Sequence, residues 1–266
     1  MPTTSTTCAP TRASSSPVGA YPTPGANLSS QPTISRWEST PSLREDIGMM
    51  RVLVGVYCAS DKTPPKAVTL DTDDTVDVVH GHQQLLMFNA HYDERCFLPI
   101  HFYDTATSRP VAMLLRPGKT PSGPEIARHP RRLIRTHWPT TRITTRGDGH
   151  DGRPEVIAFC KANGNDDIFS LSGNAVLRST VESAADGVRV RVRRAEGDLP
   201  VVRRYAEARC GAKSWASARR VGARIGASML GLDIRFLLTN LATGGAEWPY
   251  DTLHCARGQA ENLIKL

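Results

Sequence analysis

The sequence predicts an α/β protein, a mixed sheet flanked by helices. Short β-branched runs alternate with amphipathic stretches along most of the chain. Its 266 residues, 39% hydrophobic and 22% charged, suffice for one large globular domain. No apolar run approaches the roughly 20 residues that cross a bilayer.

Residues 1–41 are expected to be disordered or foreign to the fold. Met1 to Thr33 is mostly Ser, Thr and Pro with one charge, Arg12, a composition that cannot offset its ordering entropy. Order is expected from Ser42, where Ser42 and Glu45 form a capping box behind Pro41. Ile47, Met50, Leu53, Val54 and Tyr57 recur at helical spacing, so 42–60 reads as an amphipathic helix, closed by Pro64 and Pro65. Ala67 to Asp73 reads as a strand ending in acids. Arg95–Tyr103 and Pro110–Leu115 read as two more strands, and 123–137 as a helix with a basic face. Thr141–Thr145 reads as a strand running into Arg146-Gly147-Asp148. Arg153–Asn163 reads as a helix ended by Gly164, and Ile168–Leu171 as a short strand. Three adjacent strands, helix, strand, helix, strand fits an RNase H-like core.

Residues 174–245 change character. Val188–Val192 alternates Val with Arg, and Ile234–Asn240 is an apolar strand, so this stretch reads as a mostly β insertion projecting from the core before the last helix. Tyr250 to Leu266 reads as that helix. Leu263, Ile264 and Leu266 run on with no stop signal, so 42–266 is expected to be a core truncated at its C-terminus.

Lys plus Arg number 33 against 26 acids, a net charge of +7. That surplus favours a polyanionic partner, nucleic acid first. The runs Arg131-Arg132, Arg189/Arg191/Arg193/Arg194, Arg203-Arg204 and Arg219-Arg220 are solvated faces or phosphate contacts. The six cysteines form no C-x-x-C pair, which argues against a zinc ribbon or redox motif. Scattered in apolar stretches, they suit buried thiols in a reducing cytoplasm. His80, His82, His91 and His101 lack ligand spacing. Gly147, Gly149 and Gly152 read as loop flexibility.

Three acids stand out by context: Asp73 and Asp148 at strand ends, Glu261 on the last helix. Ligands gather at strand ends in open sheets, and converging carboxylates hold hard divalent cations. Two such ions clamp the attacking and leaving oxygens of a phosphodiester. Asp71, two residues before Asp73, shares its face and competes for the same role.

Several strings in one order resemble the transposases of insertion-sequence family 1380: Leu70-Asp71-Thr72-Asp73-Asp74-Thr75, Val79-His80-Gly81-His82-Gln83, Phe88-Asn89-Ala90-His91-Tyr92-Asp93, Leu114-Leu115-Arg116-Pro117-Gly118, Arg146-Gly147-Asp148-Gly149, Leu238-Thr239-Asn240-Leu241 and Cys255-Ala256-Arg257-Gly258-Gln259-Ala260-Glu261-Asn262. The resemblance runs from about Ser30 to the last residue. It implies a DDE transposase: a magnesium-dependent nuclease and strand transferase, with manganese as substitute, acting on double-stranded DNA at terminal inverted repeats and target sites. It further implies a homodimer when full-length, without a membrane and associated with the nucleoid. Asp73, or Asp71, matches the first acid, Asp148 the second and Glu261 the third. Asp71 joins the expected metal set, and Arg257, Arg146 and Lys265 the expected DNA contacts. Three features depart from the pattern: His254 stands where the larger group has tyrosine, Asp151 falls where an aromatic residue is common, and a lysine seven residues after the glutamate would lie beyond Leu266. A poor transposase, or a remnant that binds DNA and cuts nothing, is therefore the competing expectation. A different RNase H-like nuclease is disfavoured by the long segment between Asp148 and Glu261.

Overall fold

The computed structural model describes residues 29–39, 42–81, 83, 86–119, 134–149, 151–194, 202–228 and 231–264. The chain divides into two compact units, residues 1–49 and 50–266. In the first, Gln31–Ser39 forms a helix, α1, within the span expected to be disordered. Helix α2, Leu43–Ala59, crosses the boundary. At its start the backbone N–H and hydroxyl of Ser42 both donate to the Glu45 carboxylate at 2.7 Å. The charged carboxylate is favoured there, and its pKa falls below the ordinary range.

The second unit is built on one eight-stranded sheet. Its first strands are β1 (Ala67–Asp74), β5 (Ile100–Asp104) and β6 (Arg109–Leu114), then β7 (Arg142–Gly147) and β8 (Asp166–Leu171). The spatial order is β6-β5-β1-β7-β8. The β1–β5 and β5–β6 pairs are antiparallel, while β1–β7 and β7–β8 are parallel. Three antiparallel strands whose first member continues into two parallel ones give the expected RNase H-like core. Helix α3, Pro154–Ala162, is the crossover between β7 and β8; it starts on a proline and buries Val156, Ile157 and Cys160. Phe102, Phe169, Ile143, Ile100 and Val54 are fully buried in the core.

The expected strand over 95–103 is split. Glu94–Phe97 (β4) leaves the main sheet to pair with β2 (Asp77–Val78) and β3 (Met87–Asn89) in a small three-stranded sheet. Pro99 marks the break, because proline has no N–H for a ladder; its carbonyl accepts from Thr75 N instead. The helix expected over 123–137 lies outside the described residues except for 134–137, which are helical.

The segment expected to be mostly β opens with two helices, α4 (Ala175–Thr180) and α5 (Glu182–Arg194). The Val-Arg alternation of 188–192 lies inside α5. Over a longer window Val181, Ala185, Val188 and Val192 recur at steps of four, three and four, and they are the positions packed on the core, whereas Val190 is 43% exposed. Strands β9 (Val202–Cys210), β10 (Arg219–Ser228) and β11 (Gly231–Thr239) follow. They do not project as a separate sheet: β11 pairs antiparallel with β8, and the main sheet continues as β8-β11-β10-β9. A buried polar network joins this extension to the core. Arg219 donates to both oxygens of the fully buried Asp167, Thr239 Oγ1 donates to Asp167 O at 2.6 Å, and Asn240 Oδ1 accepts from Asp167 N at 2.9 Å. Tyr250–Leu266, expected as one helix, passes through three geometries. Trp248–His254 is a π-helix, Cys255–Arg257 a 3₁₀ turn and Gly258–Ile264 an α-helix, α6.

Candidate active site

The parallel register of β1 and β7 sets the site in two layers. Asp71 lies opposite Arg146. Two residues further on come Asp73, still in β1 and on the face of Asp71 because side chains alternate, and Asp148, in the turn just past β7. The lower layer is a buried ion pair. Arg146 Nε donates to Asp71 Oδ1 at 2.5 Å and its Nη2 to Oδ2 at 2.6 Å, while Nη2 also reaches Thr105 Oγ1 at 2.7 Å. Thr105 donates to Asp71, and Arg146 Nη1 donates to the carbonyl of Leu253 in the π-helix. The pair therefore anchors the final helical segment to the strand ends.

Of the expected site residues, Asp71 is fully buried with both oxygens engaged by Arg146. Arg146, only 4% exposed, is turned inward onto Asp71. Lys265 lies outside the described residues.

The upper layer gathers the other acids. Arg257 Nη2 donates to Asp73 Oδ1 at 2.8 Å, and its Nη1 reaches Glu261 Oε1, one helical turn on, at 3.4 Å. Burial is the main force raising the Asp73 pKa to about 6; Arg257 opposes the rise, and Asp148, Glu261 and Asp74 add to it. Asp148 Oδ1 accepts from the backbone N–H of Asp151 at 3.2 Å, which orients it on the turn after β7.

Asp151 is the acid that sequence reasoning missed. It is buried, and burial, then the Asp148 charge, hold its carboxyl well above the ordinary range. It fits because residue 147 is glycine: a Cβ there would come within 2.3 Å of Asp151 Oδ2. Gly147 is thus a packing position, not a loop hinge. His254 was also undervalued. Its Nε2 lies 2.8 Å from Ser170 Oγ, and its ring leans on Tyr250. Burial, followed by Arg257, Arg146, Arg224 and Arg235, lowers its pKa to about 4. The signal for Asp151 was its spacing of three from Asp148; for His254 it was its place one turn before Arg257.

The donor set is carboxylate oxygen, the chemistry that hard divalent cations take. Asp73, Asp148 and Glu261 therefore fit such an ion in kind. Among the described residues no group of three side chains is already drawn together around a coordination point. Arg257, bridging Asp73 and Glu261, supplies positive charge to the cluster.

A family model, transposase DDE domain group 1, matches residues 13–266. No curated protein matches the chain. Among solved structures the chain is similar to a piggyBac transposase, described as a synaptic complex with hairpin DNA, at 11% identity and a TM-score of 0.48. That match covers 88% of this chain and 46% of the other, so this chain spans about half the length of that protein. A likeness that distant bears on neither the fold nor the chemistry.

Proposed function

Because this chain belongs to the DDE transposase domain group 1 family, we propose that it cleaves and joins DNA at the ends of an insertion sequence, with Asp73, Asp148 and Glu261 as the acids of the reaction. The reading that the element is of family 1380 rests on the sequence strings given above. What supports the site assignment is Arg257 bridging Asp73 on β1 and Glu261 on α6, with the Asp148 charge among those that raise the Asp73 pKa. A cluster of repelling carboxylates half-removed from water costs stability. That is the expected signature of a site built for cations.

Magnesium, held by Asp73, Asp148 and Glu261, would supply a nucleophile activated near neutral pH and charge stabilisation at phosphorus. The chain's own part is to place those oxygens. The Asp71–Arg146 pair fixes β1, β7 and the final helical segment together, and the Asp151 N–H orients Asp148. Arg257, released from Asp73, can hold a phosphate through its planar fork. The basic surplus supplies sequence-independent affinity for DNA.

The test is cleavage of plasmid DNA carrying the inverted repeats that flank the gene, in magnesium or manganese. Metal-dependent nicking at the repeat ends is expected, abolished by Asp148→Ala and unaffected in position by Asp74→Asn. Nicking that survives Asp148→Ala would remove Asp148 from the chemistry.

A further inference from the structure

A π-helix is a rare geometry, and Trp248–His254 adopts it directly before the turn and helix that carry Arg257 and Glu261. Its last bond runs from the backbone N–H of Cys255 to Tyr250 O, five residues back. A π turn holds about one residue more than an α turn. It therefore sets the phase at which the next helix leaves: one residue fewer would turn Arg257 and Glu261 by roughly 100° about the axis.

Four residues of this helix are held from outside. Two grips come from the core: Arg146 Nη1 donates to Leu253 O, and Ser170 Oγ on β8 lies 2.8 Å from His254 Nε2. The other two come from the strands of the extension. Register puts Tyr205 of β9 opposite Arg224 of β10, so both side chains leave the same face of the sheet. The Arg224 guanidinium sits over the Tyr250 ring, 5.2 Å from its centre, and the Tyr205 hydroxyl donates to Asp251 Oδ2. Both partners of that bond are half-buried, where a hydrogen bond is stronger than in open water. Beyond the four grips, Arg257 meets Asp73 at 2.8 Å and Glu261 at 3.4 Å.

Resting on the DNA-cleavage reading above, we propose that Tyr205 and Asp251 are positioning residues for that reaction: their hydrogen bond locks the phase of the π-helix and so the placement of Glu261 against Asp73. Neither side chain takes part in the chemistry itself. Loosening the bond populates phases in which Glu261 is turned away. Metal selects the competent phase, so the apparent metal affinity falls with the competent fraction while the rate at saturating metal is retained.

The experiment uses the 266-residue chain as wild type, Tyr205→Phe, Asp251→Asn and Asp251→Ala. Hydrogen exchange is followed by mass spectrometry without metal or DNA. Tyr205→Phe removes only the hydroxyl. It is expected to lower protection over 255–264 by roughly 10- to 150-fold, the worth of a hydrogen bond to a carboxylate, with β1 and β7 unchanged. Asp251→Ala is expected to match it, and combining the two to be no worse than either. Asp251→Asn keeps an acceptor and is expected to fall between. Manganese titrated alone, with the free ion counted by electron paramagnetic resonance, is expected to bind Tyr205→Phe more weakly than wild type. In cleavage, the manganese needed for half the maximal rate is expected to rise while the maximal rate holds. Unchanged protection over 255–264 in Tyr205→Phe would overturn the proposal and leave the DNA reading intact. So would an equal loss of protection in β1 and β7, or a fallen maximal rate with manganese affinity unchanged, since the bond would then only stabilise the fold. A wild-type chain that cuts no DNA in manganese would instead sink the functional reading, and this proposal with it.

Discussion

Asp71 and Asp73 differ by two positions and by one layer of depth. One carboxylate is fully buried and neutralised by a two-pronged arginine; the other is half-buried among acids. Breaking a buried pair from one side strands a charge in a poor solvent, at a cost of about 3–5 kcal/mol. Arg146→Met is therefore expected to lower the unfolding free energy measured by urea denaturation by an amount in that range, and Asp71→Asn added to it is expected to recover part of the loss. A loss below about 1 kcal/mol for Arg146→Met would show that Asp71 is neutral or hydrated in the folded state. Alternation along the strand revealed that Asp71 and Asp73 share a face. It could not reveal which one faces solvent, because that depends on the parallel register with Arg146, a partner 75 residues away.

The π-helix carries the most acid-sensitive element of the site. His254 sits buried among Arg257, Arg146, Arg224 and Arg235, with its folded pKa near 4 against an ordinary 6.5. The folded state then binds fewer protons than the unfolded one, so stability is full above pH 6.5 and falls as pH drops towards 4. By pH 5 the loss from this one group is about 2 kcal/mol. His254→Gln is expected to flatten the decline in thermal midpoint between pH 7 and 5. An unchanged slope in that variant would place the acid sensitivity elsewhere. The existence of a helical segment here was legible in the sequence, but its three geometries were not. Local apolar spacing does not encode the Leu253 carbonyl's capture by Arg146 or the packing of Tyr250 beneath Arg224. The misreading of α5 has a simpler cause: five alternating residues satisfy a strand period, and only the flanking Val181 and Ala185 reveal the helical one.

At the scale of the molecule, the insertion and the core form one sheet within the unit 50–266. The fully buried Asp167–Arg219 pair spans from β8 to β10 across β11, so the extension has no separate polar seam along which to open. Unfolding of this unit is expected to be cooperative. Variants retaining only Trp138, in the core, or only Trp215, beside β9 and β10, should report the same urea midpoint by fluorescence. Two resolved transitions would mean that the extension folds independently. The element order of the core, three strands, helix, strand, helix, strand, was legible in the sequence and fits the observed sheet. The docking of β11 on β8 was not, since the apolar run of Ile234–Asn240 suits a sheet of its own equally well.

The same continuity leaves β9 as the sheet's terminal strand, and among the described residues nothing pairs with its outer side. A nine-residue open edge is a template for any stray strand, the usual seed of aggregation. Four of its nine positions, Arg203, Arg204, Glu207 and Arg209, are charged and exposed. An identical edge arriving in parallel would bring arginine against arginine. The charges that give this protein its basic character thus also act as gatekeepers, keeping neighbouring copies from extending the sheet into a polymer.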